Sequence, residues 1–407
     1  MKVLRRTKMY YSIFIYLFIL SCFEVYQKRL GNRIETKKKI IFIIPVVLVL
    51  ALKYGQGADY VVYEYFYENP YMVNNMDFFY NLIAKTSYNL GIHFYVFYSL
   101  VTVFLCVALI YLLIEYTEFF FFPLFYFFGR YLVYFHTTIR QGLAIVFYLF
   151  VFFEIIVKIS RSSNKKVIFF SLLSVLFHSS SLPFVLLLNG YNLFVKNNKF
   201  KTYYKRISKY LIELDCLYVI LVSFVLYITL SKILPFFLLF LNRDFINHRL
   251  QFYLNPTSIT SFMYRVIEYY LINILIKENI GDNNSIFSKT KFITTLSLLF
   301  YGMLGFSSLI STRMIIYIDI LKVFLIPQVI ISKIVNLQIG LDIIRLKSKI
   351  TYAIALIILF ISIDYIKFMR TENNFGNYYN KNYYPYVSIF NKDKIVEYSD
   401  YYKILSE

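Results

Sequence analysis

The feature that most narrows what this chain can fold into is its succession of apolar runs, such as Ile41–Leu52 and Leu217–Leu230, separated by short basic connectors. The runs lack the alternating polar residues of a barrel strand. Lipid offers no water to pair an open backbone, so each run is expected to be a helix. With 59% hydrophobic and 16% charged residues, the 407-residue chain has too little polar surface to enclose this apolar matter in water. The sequence therefore predicts an all-α, polytopic transmembrane bundle of about eleven or twelve membrane segments, forming one multi-pass domain over 1–367. A polar, Tyr- and Asn-rich tail over 368–407 follows it.

Lys and Arg collect on the cytoplasmic side of a membrane. Basic connectors at 28–39, 158–166, 196–209, 277–291 and 333–349 are assigned there, which places spans near 40–53, 93–114, 119–135 and 139–157. Further spans are expected near 212–241, 259–276, 292–311, 313–332 and 350–367. Residues 167–195 are too few for two full spans, and His178-Ser179-Ser180-Ser181-Leu182-Pro183 interrupts them, so a short helical hairpin with an outward tip is expected. The outer face then carries 54–92, 242–258 and the tail. The run Met9–Phe23 follows Lys2, Arg5, Arg6 and Lys8 without a small-residue cleavage site and reads as a retained first helix, although this sets a basic N-terminus against the charge rule.

The net charge of +20 lies mostly in connectors, which favours membrane lipid over nucleic acid as the partner. Cys22, Cys106 and Cys216 show neither metal-ligand nor paired spacing and read as packing residues. Trp is absent, so the interfacial aromatic belt falls to Tyr.

Certain polar groups stand where chemistry is conceivable. In Lys53-Tyr54-Gly55-Gln56-Gly57-Ala58-Asp59-Tyr60, followed by Tyr63, two glycines permit a tight turn, Asp59 is a candidate base and the tyrosines a platform for sugar rings. The plainer reading is an interfacial loop. Arg140 and Gln141 open an apolar run; a guanidinium there either grips an oxyanion through two parallel donors or snorkels to the surface, and Arg130 shares the ambiguity. His178 either exchanges protons or closes its turn, and no second His or carboxylate at metal spacing accompanies it, so no metal is expected. Arg313, with Tyr317 and Asp319, is an anchor or a second anion contact, and Arg243, His248 and Arg249 would add a positive rim. Arginines on the face opposite the cytoplasm run against the sidedness rule and so point to an anion.

Together the Lys53-to-Tyr63 pattern, the Ile139-Arg140-Gln141-Gly142-Leu143-Ala144 helix start, the Phe177-His178-Ser179-Ser180 turn and the late Arg313 and Tyr317 resemble the EpsG family of bacterial polysaccharide polymerases, related in role to the Wzy O-antigen polymerases. The resemblance runs from about Lys53 to Pro327 in motif order; the family commonly has Arg at the position of Lys53 and Glu-Pro at that of Asp77-Phe78. It implies a glycosyltransferase of the bacterial inner membrane, without cofactor, whose active site faces the periplasm. An undecaprenyl-pyrophosphate-linked glycan would pass onto an incoming lipid-linked repeat unit, in O-antigen, capsule or exopolysaccharide synthesis, with a chain-length regulator as an optional partner. The implied catalytic set is Arg140 and Arg313 at the pyrophosphate, with Asp59 or His178 at the acceptor hydroxyl. Lys53, Tyr60, Tyr63, Arg130, Gln141, Arg243, Arg249 and Tyr317 are expected to contact substrate. The competing readings are a lipid-linked oligosaccharide flippase or other transporter, and an O-antigen ligase.

Overall fold

A computed structural model of the chain describes residues 8–55, 57, 59–72, 77–156, 164–195, 198–241, 255–277, 285–336 and 344–370. In chain order the helices are α1 (Lys8–Arg29), α2 (Thr36–Ala51), α3 (Tyr60–Glu68), α4 (Phe78–Asn89), α5 (Phe94–Tyr116), α6 (Phe121–His136), α7 (Ile139–Ile156) and α8 (Asn164–Phe177). A 3-10 turn, Ser179–Ser181, leads to α9 (Leu182–Val195), α10 (Asn198–Glu213), α11 (Cys216–Leu241), α12 (Ile259–Ile276), α13 (Ile286–Met303), α14 (Ser308–Asp319), α15 (Lys322–Asn336) and α16 (Ile344–Arg370). The all-helical expectation holds, with no strand among the described residues. Among the described residues, five helices are long and apolar enough to cross a membrane, or up to seven when each of two sharply bent pairs counts as one span. Expected spans at α2 and α6 have only 16 residues each, short of the roughly 20 a full crossing needs, while the short hairpin expected over 167–195 appears as α8 and α9 of 14 residues each.

Two expectations change in detail. The outer stretch 54–92 holds α3 and α4 instead of a simple loop, because Tyr60, Tyr63 and Tyr67 recur at helical spacing and pack inward. The basic connector at 196–209 is mostly helix α10, which bends 99° from α11 and exposes Tyr203, Ile207 and Tyr210 along one face. An apolar stripe flanked by cations on a helix turned across its neighbour is the pattern of a segment lying in the membrane surface. Most of the expected outer loop at 242–258 and most of the tail lie outside the described residues.

The chain divides into two compact units, Met1–Val185 with Ile361–Glu407, and Leu186–Phe360. In the first, α5 exposes Val96, Leu100, Phe104, Val107 and Tyr111 while burying Tyr98, Leu105, Leu109 and Leu112. The exposed set repeats with the helical period, so it marks a lipid face about 23 Å long. By contrast α7 is 78% buried and forms the centre of the unit; Phe147 stacks on Phe177 of α8 at 5.5 Å, and the Ser174 hydroxyl donates to the Ala144 carbonyl at 2.8 Å. Glu24 of α1 caps α6 by accepting the backbone N–H groups of Phe120, Phe121 and Phe122 at 2.7, 2.9 and 3.1 Å.

In the second unit, Phe262 of α12 stacks on Tyr227 of α11 at 4.6 Å within a core that includes Val219, Leu298, Tyr301 and Ile315. The break between α14 and α15, bent by 53°, holds a buried charge network. Asp319 accepts from Arg265 and Ser297, Lys322 lies 2.9 Å from Asp319 and 3.7 Å from Glu268, and the Arg265 guanidinium sits 4.3 Å from the Tyr301 ring centroid. Two cations and two carboxylates balance, which is what allows them to be buried.

Asp319→Ala should lower the stability of the detergent-purified protein by about 3–5 kcal/mol, since it strands Arg265. An Arg265→Met/Asp319→Leu double variant, which leaves Lys322 with Glu268, should recover much of the lost melting temperature. An unchanged midpoint in Asp319→Ala would remove the network from the stability of the fold.

Candidate functional site

The site grows from the corner between α6 and α7. Thr137 and Thr138 separate the two helices, and Arg140 stands in the first turn of α7. Gly142 lets α7 lie against the end of α6: a Cβ there would come within 2.3 Å of the Tyr134 carbonyl oxygen. The Gly55–Gly57 turn closes on the same corner, with positive φ at both glycines and space at Gly57 limited by Thr137 and the His136 carbonyl, at 3.2–3.3 Å from a would-be Cβ. The motif glycines are therefore explained by close approach. They bring the start of α3 to the start of α7.

Lys53 supports this corner from inside. It is 1% exposed, donates its ammonium to the His136 carbonyl and lies 5.0 Å from the Tyr98 ring centroid; Tyr98 donates its hydroxyl to the same carbonyl at 3.0 Å. A cation at the C-terminal carbonyls of α6 is favoured by the helix dipole. Tyr60 is also fully buried, ringed by Tyr54, Phe94 and Tyr98. Both residues were expected at a substrate surface. The structure places them in the packing beneath it, because the glycine turn folds them inward.

Above this support, four chain segments meet. Arg140 Nη1 donates to Asp77 Oδ2 at 2.7 Å, and the Ser179 backbone N–H donates to Asp77 Oδ1 at 3.4 Å. The Arg140 guanidinium lies 5.5 Å from the Tyr63 ring centroid, and the Tyr63 hydroxyl donates to Asp59 Oδ2 at 3.3 Å. Burial and then the Asp59 carboxylate push the Tyr63 phenol well above its usual range, against the pull of Arg140, so Tyr63 stays a donor. His178 caps the Ser179–Ser181 turn, its Nδ1 accepting the Ser180 N–H over a long 3.5 Å. In the neutral ring this leaves the proton on Nε2.

Asp77 was not anticipated as a site residue. It occupies the N-cap of α4, yet its carboxylate makes no bond to that helix and reaches to Arg140 and the His178 turn instead. The sequence marked it only through the resemblance, in which Asp77-Phe78 departs from a common Glu-Pro pair. The segments that meet here also bury polar atoms with no hydrogen-bond partner, namely Tyr80 Oη, Thr138 Oγ1, Arg140 Nε and Ser181 Oγ. Such atoms each cost about 1–3 kcal/mol unless water or a ligand pairs them.

The other expected residues are described each within its own unit. Arg130 is paired with Asp364 at 2.7 Å inside the first unit, with its guanidinium 5.8 Å from the Tyr126 ring centroid, and so acts as a tie between α6 and α16. Gln141 is buried next to Arg140. In the second unit Arg313 is exposed on α14 while Tyr317, one turn on, is fully buried. Arg243 and Arg249 fall outside the described residues.

The model of one protein family, the EpsG family, matches residues 37–388 of the chain. No curated protein and no solved structure matches it.

Gly142→Ala tests the close approach on which the corner depends. The new methyl meets backbone, which cannot swing aside, so a loss of about 1–3 kcal/mol is expected. Detergent-solubilised protein should show it as an earlier unfolding midpoint and a lower monodisperse yield.

Proposed function

This chain belongs to the EpsG family, and from that premise we propose that it polymerises lipid-linked repeat units at the periplasmic face of the bacterial inner membrane. In this reaction the anomeric carbon of the undecaprenyl-pyrophosphate-linked glycan loses its bond to the diphosphate, which leaves with the electron pair. A hydroxyl of the incoming lipid-linked unit forms the new glycosidic bond and gives up its proton.

The observation that carries the reading is the setting of Arg140. Its guanidinium is fixed at the start of an apolar helix, one nitrogen is engaged by Asp77 and Nε is buried without a partner. A diphosphate oxygen supplies what Nε lacks, and the charge that develops on the leaving group is stabilised by a donor already in place. His178, with its proton on Nε2, adds a second donor. Asp59, held by the Tyr63 hydroxyl, takes the acceptor's proton. Asp77 neutralises Arg140 until the diphosphate displaces it.

One observation favours the transporter alternative. The broken pair α14 and α15, with ionised groups at the break, is a device that transporters use. In a deletion strain, single repeat units on lipid would collect on the periplasmic side if the protein is a polymerase and on the cytoplasmic side if it is a flippase.

For the site itself, Arg140→Ala and Arg140→Lys should each reduce long-chain polysaccharide by about 100-fold or more in cells that insert normal amounts of protein. Asp59→Asn should abolish chain growth, and His178→Ala should weaken it. Undiminished long chains in both Arg140 variants would take this arginine out of the reaction.

A further inference from the structure

The connector between α1 and α2 carries Lys28, Arg29, Arg33, Lys37, Lys38 and Lys39 against the single acid Glu35. With the segment that enters α6, it encloses a cavity of about 270 Å³ lined by Glu24, Lys28, Asn32, Arg33, Lys39 and Glu118, among others. Both acids are already engaged: Glu24 caps three backbone N–H groups of α6, and Glu118 is ion-paired with Lys28. Lys39 feels Glu24 only at longer range, its ammonium lying 5.8 Å from the Phe120 ring centroid. Neither Arg33 nor Lys39 belongs to an ion pair among the described residues. The cavity therefore presents two cations with no carboxylate in direct contact among the described residues.

Its surroundings say what kind of anion. On either side of the connector, α1 exposes Phe23 and Tyr26 and α2 exposes Ile40, Ile41 and Ile44, with Leu30 exposed in the turn that follows α1. A charged recess at the end of two apolar faces has the shape of an amphiphile. Its volume falls below the roughly 300–1,000 Å³ of pockets that enclose a whole small molecule, so it suits a headgroup whose tails stay outside. Basic recesses between membrane helices on the Lys- and Arg-rich side are where acidic lipid headgroups bind.

We propose that this cavity binds the phosphodiester headgroup of an anionic phospholipid, whose acyl chains run along the exposed faces of α1 and α2. Arg33 offers paired donors to the non-bridging oxygens and Lys39 a point charge. The site is separate from the Arg140 centre and does not depend on the reaction assigned to it.

The test uses the full chain purified in a non-ionic detergent, with thermal unfolding followed while phosphatidylglycerol, phosphatidylcholine or soluble glycerol 3-phosphate is titrated in. Phosphatidylglycerol should raise the midpoint where the other two do not. An Arg33→Gln/Lys39→Gln variant should need at least about tenfold more phosphatidylglycerol for the same rise, with its lipid-free midpoint unchanged. Should the double variant fail to fold, Arg33→Gln alone, at an exposed position, should show a several-fold loss. Equal shifts with phosphatidylglycerol and phosphatidylcholine, or an undiminished response in the variants, overturn the proposal. A response to glycerol 3-phosphate equal to that for the lipid also overturns it, in favour of a free-anion site.

Discussion

The hydrocarbon of a membrane supplies no counter-ion to a buried charge, so the charged side chains inside this protein take their partners from the protein itself. Arg130, Arg140 and Arg265 each pair with an aspartate, at Asp364, Asp77 and Asp319. Lysines without a carboxylate in contact use other oxygens: Lys53 takes the carbonyl that ends α6, and Lys291 takes Asn273 and the Tyr269 hydroxyl. These partners stand far apart in the chain, so every pair also fixes a long-range helix contact. In an apolar bundle, where side chains slide past one another at little cost, such pairs set the register.

The same constraint governs the candidate site. Arg140, at the start of a largely buried helix, is answered by Asp77, while the glycine turn and Gly142 let the start of α3, α6 and α7 come close beneath it. Packing therefore comes before chemistry. Lys53 and Tyr60, which look like surface residues in a motif read letter by letter, hold the corner from beneath. The groups that face the charged centre are Arg140, Asp77, Asp59 through Tyr63, and the His178 turn.

Local pattern was enough for much of the fold. The spans expected at 93–114, 139–157 and 259–276 appear as Phe94–Tyr116, Ile139–Ile156 and Ile259–Ile276, since each is predominantly apolar over its length, even where the last carries Arg265 and Glu268. The interruption at His178 was legible because a serine-rich segment followed by proline can end one helix and begin another. The helices α3 and α4 were not. Their tyrosines serve equally as an interfacial belt or as a packed face, and only contact with α5 decides between the two. Partner choice was illegible for a different reason: Arg140 and Asp77 are 63 positions apart, Arg265 and Asp319 are 54, and nothing local links them. Arg140 could be picked out as costly, whereas Arg265, inside the run 259–276, was passed over. Which acids answered them required the folded chain.

Asp77 joins three things at once, since it begins α4, holds Arg140 and receives the amide of the turn that His178 caps. Because one carboxylate carries both bonds, replacing Asp77 would remove at a stroke two ties between distant stretches of the chain, the one to α7 and the one to the turn that follows α8.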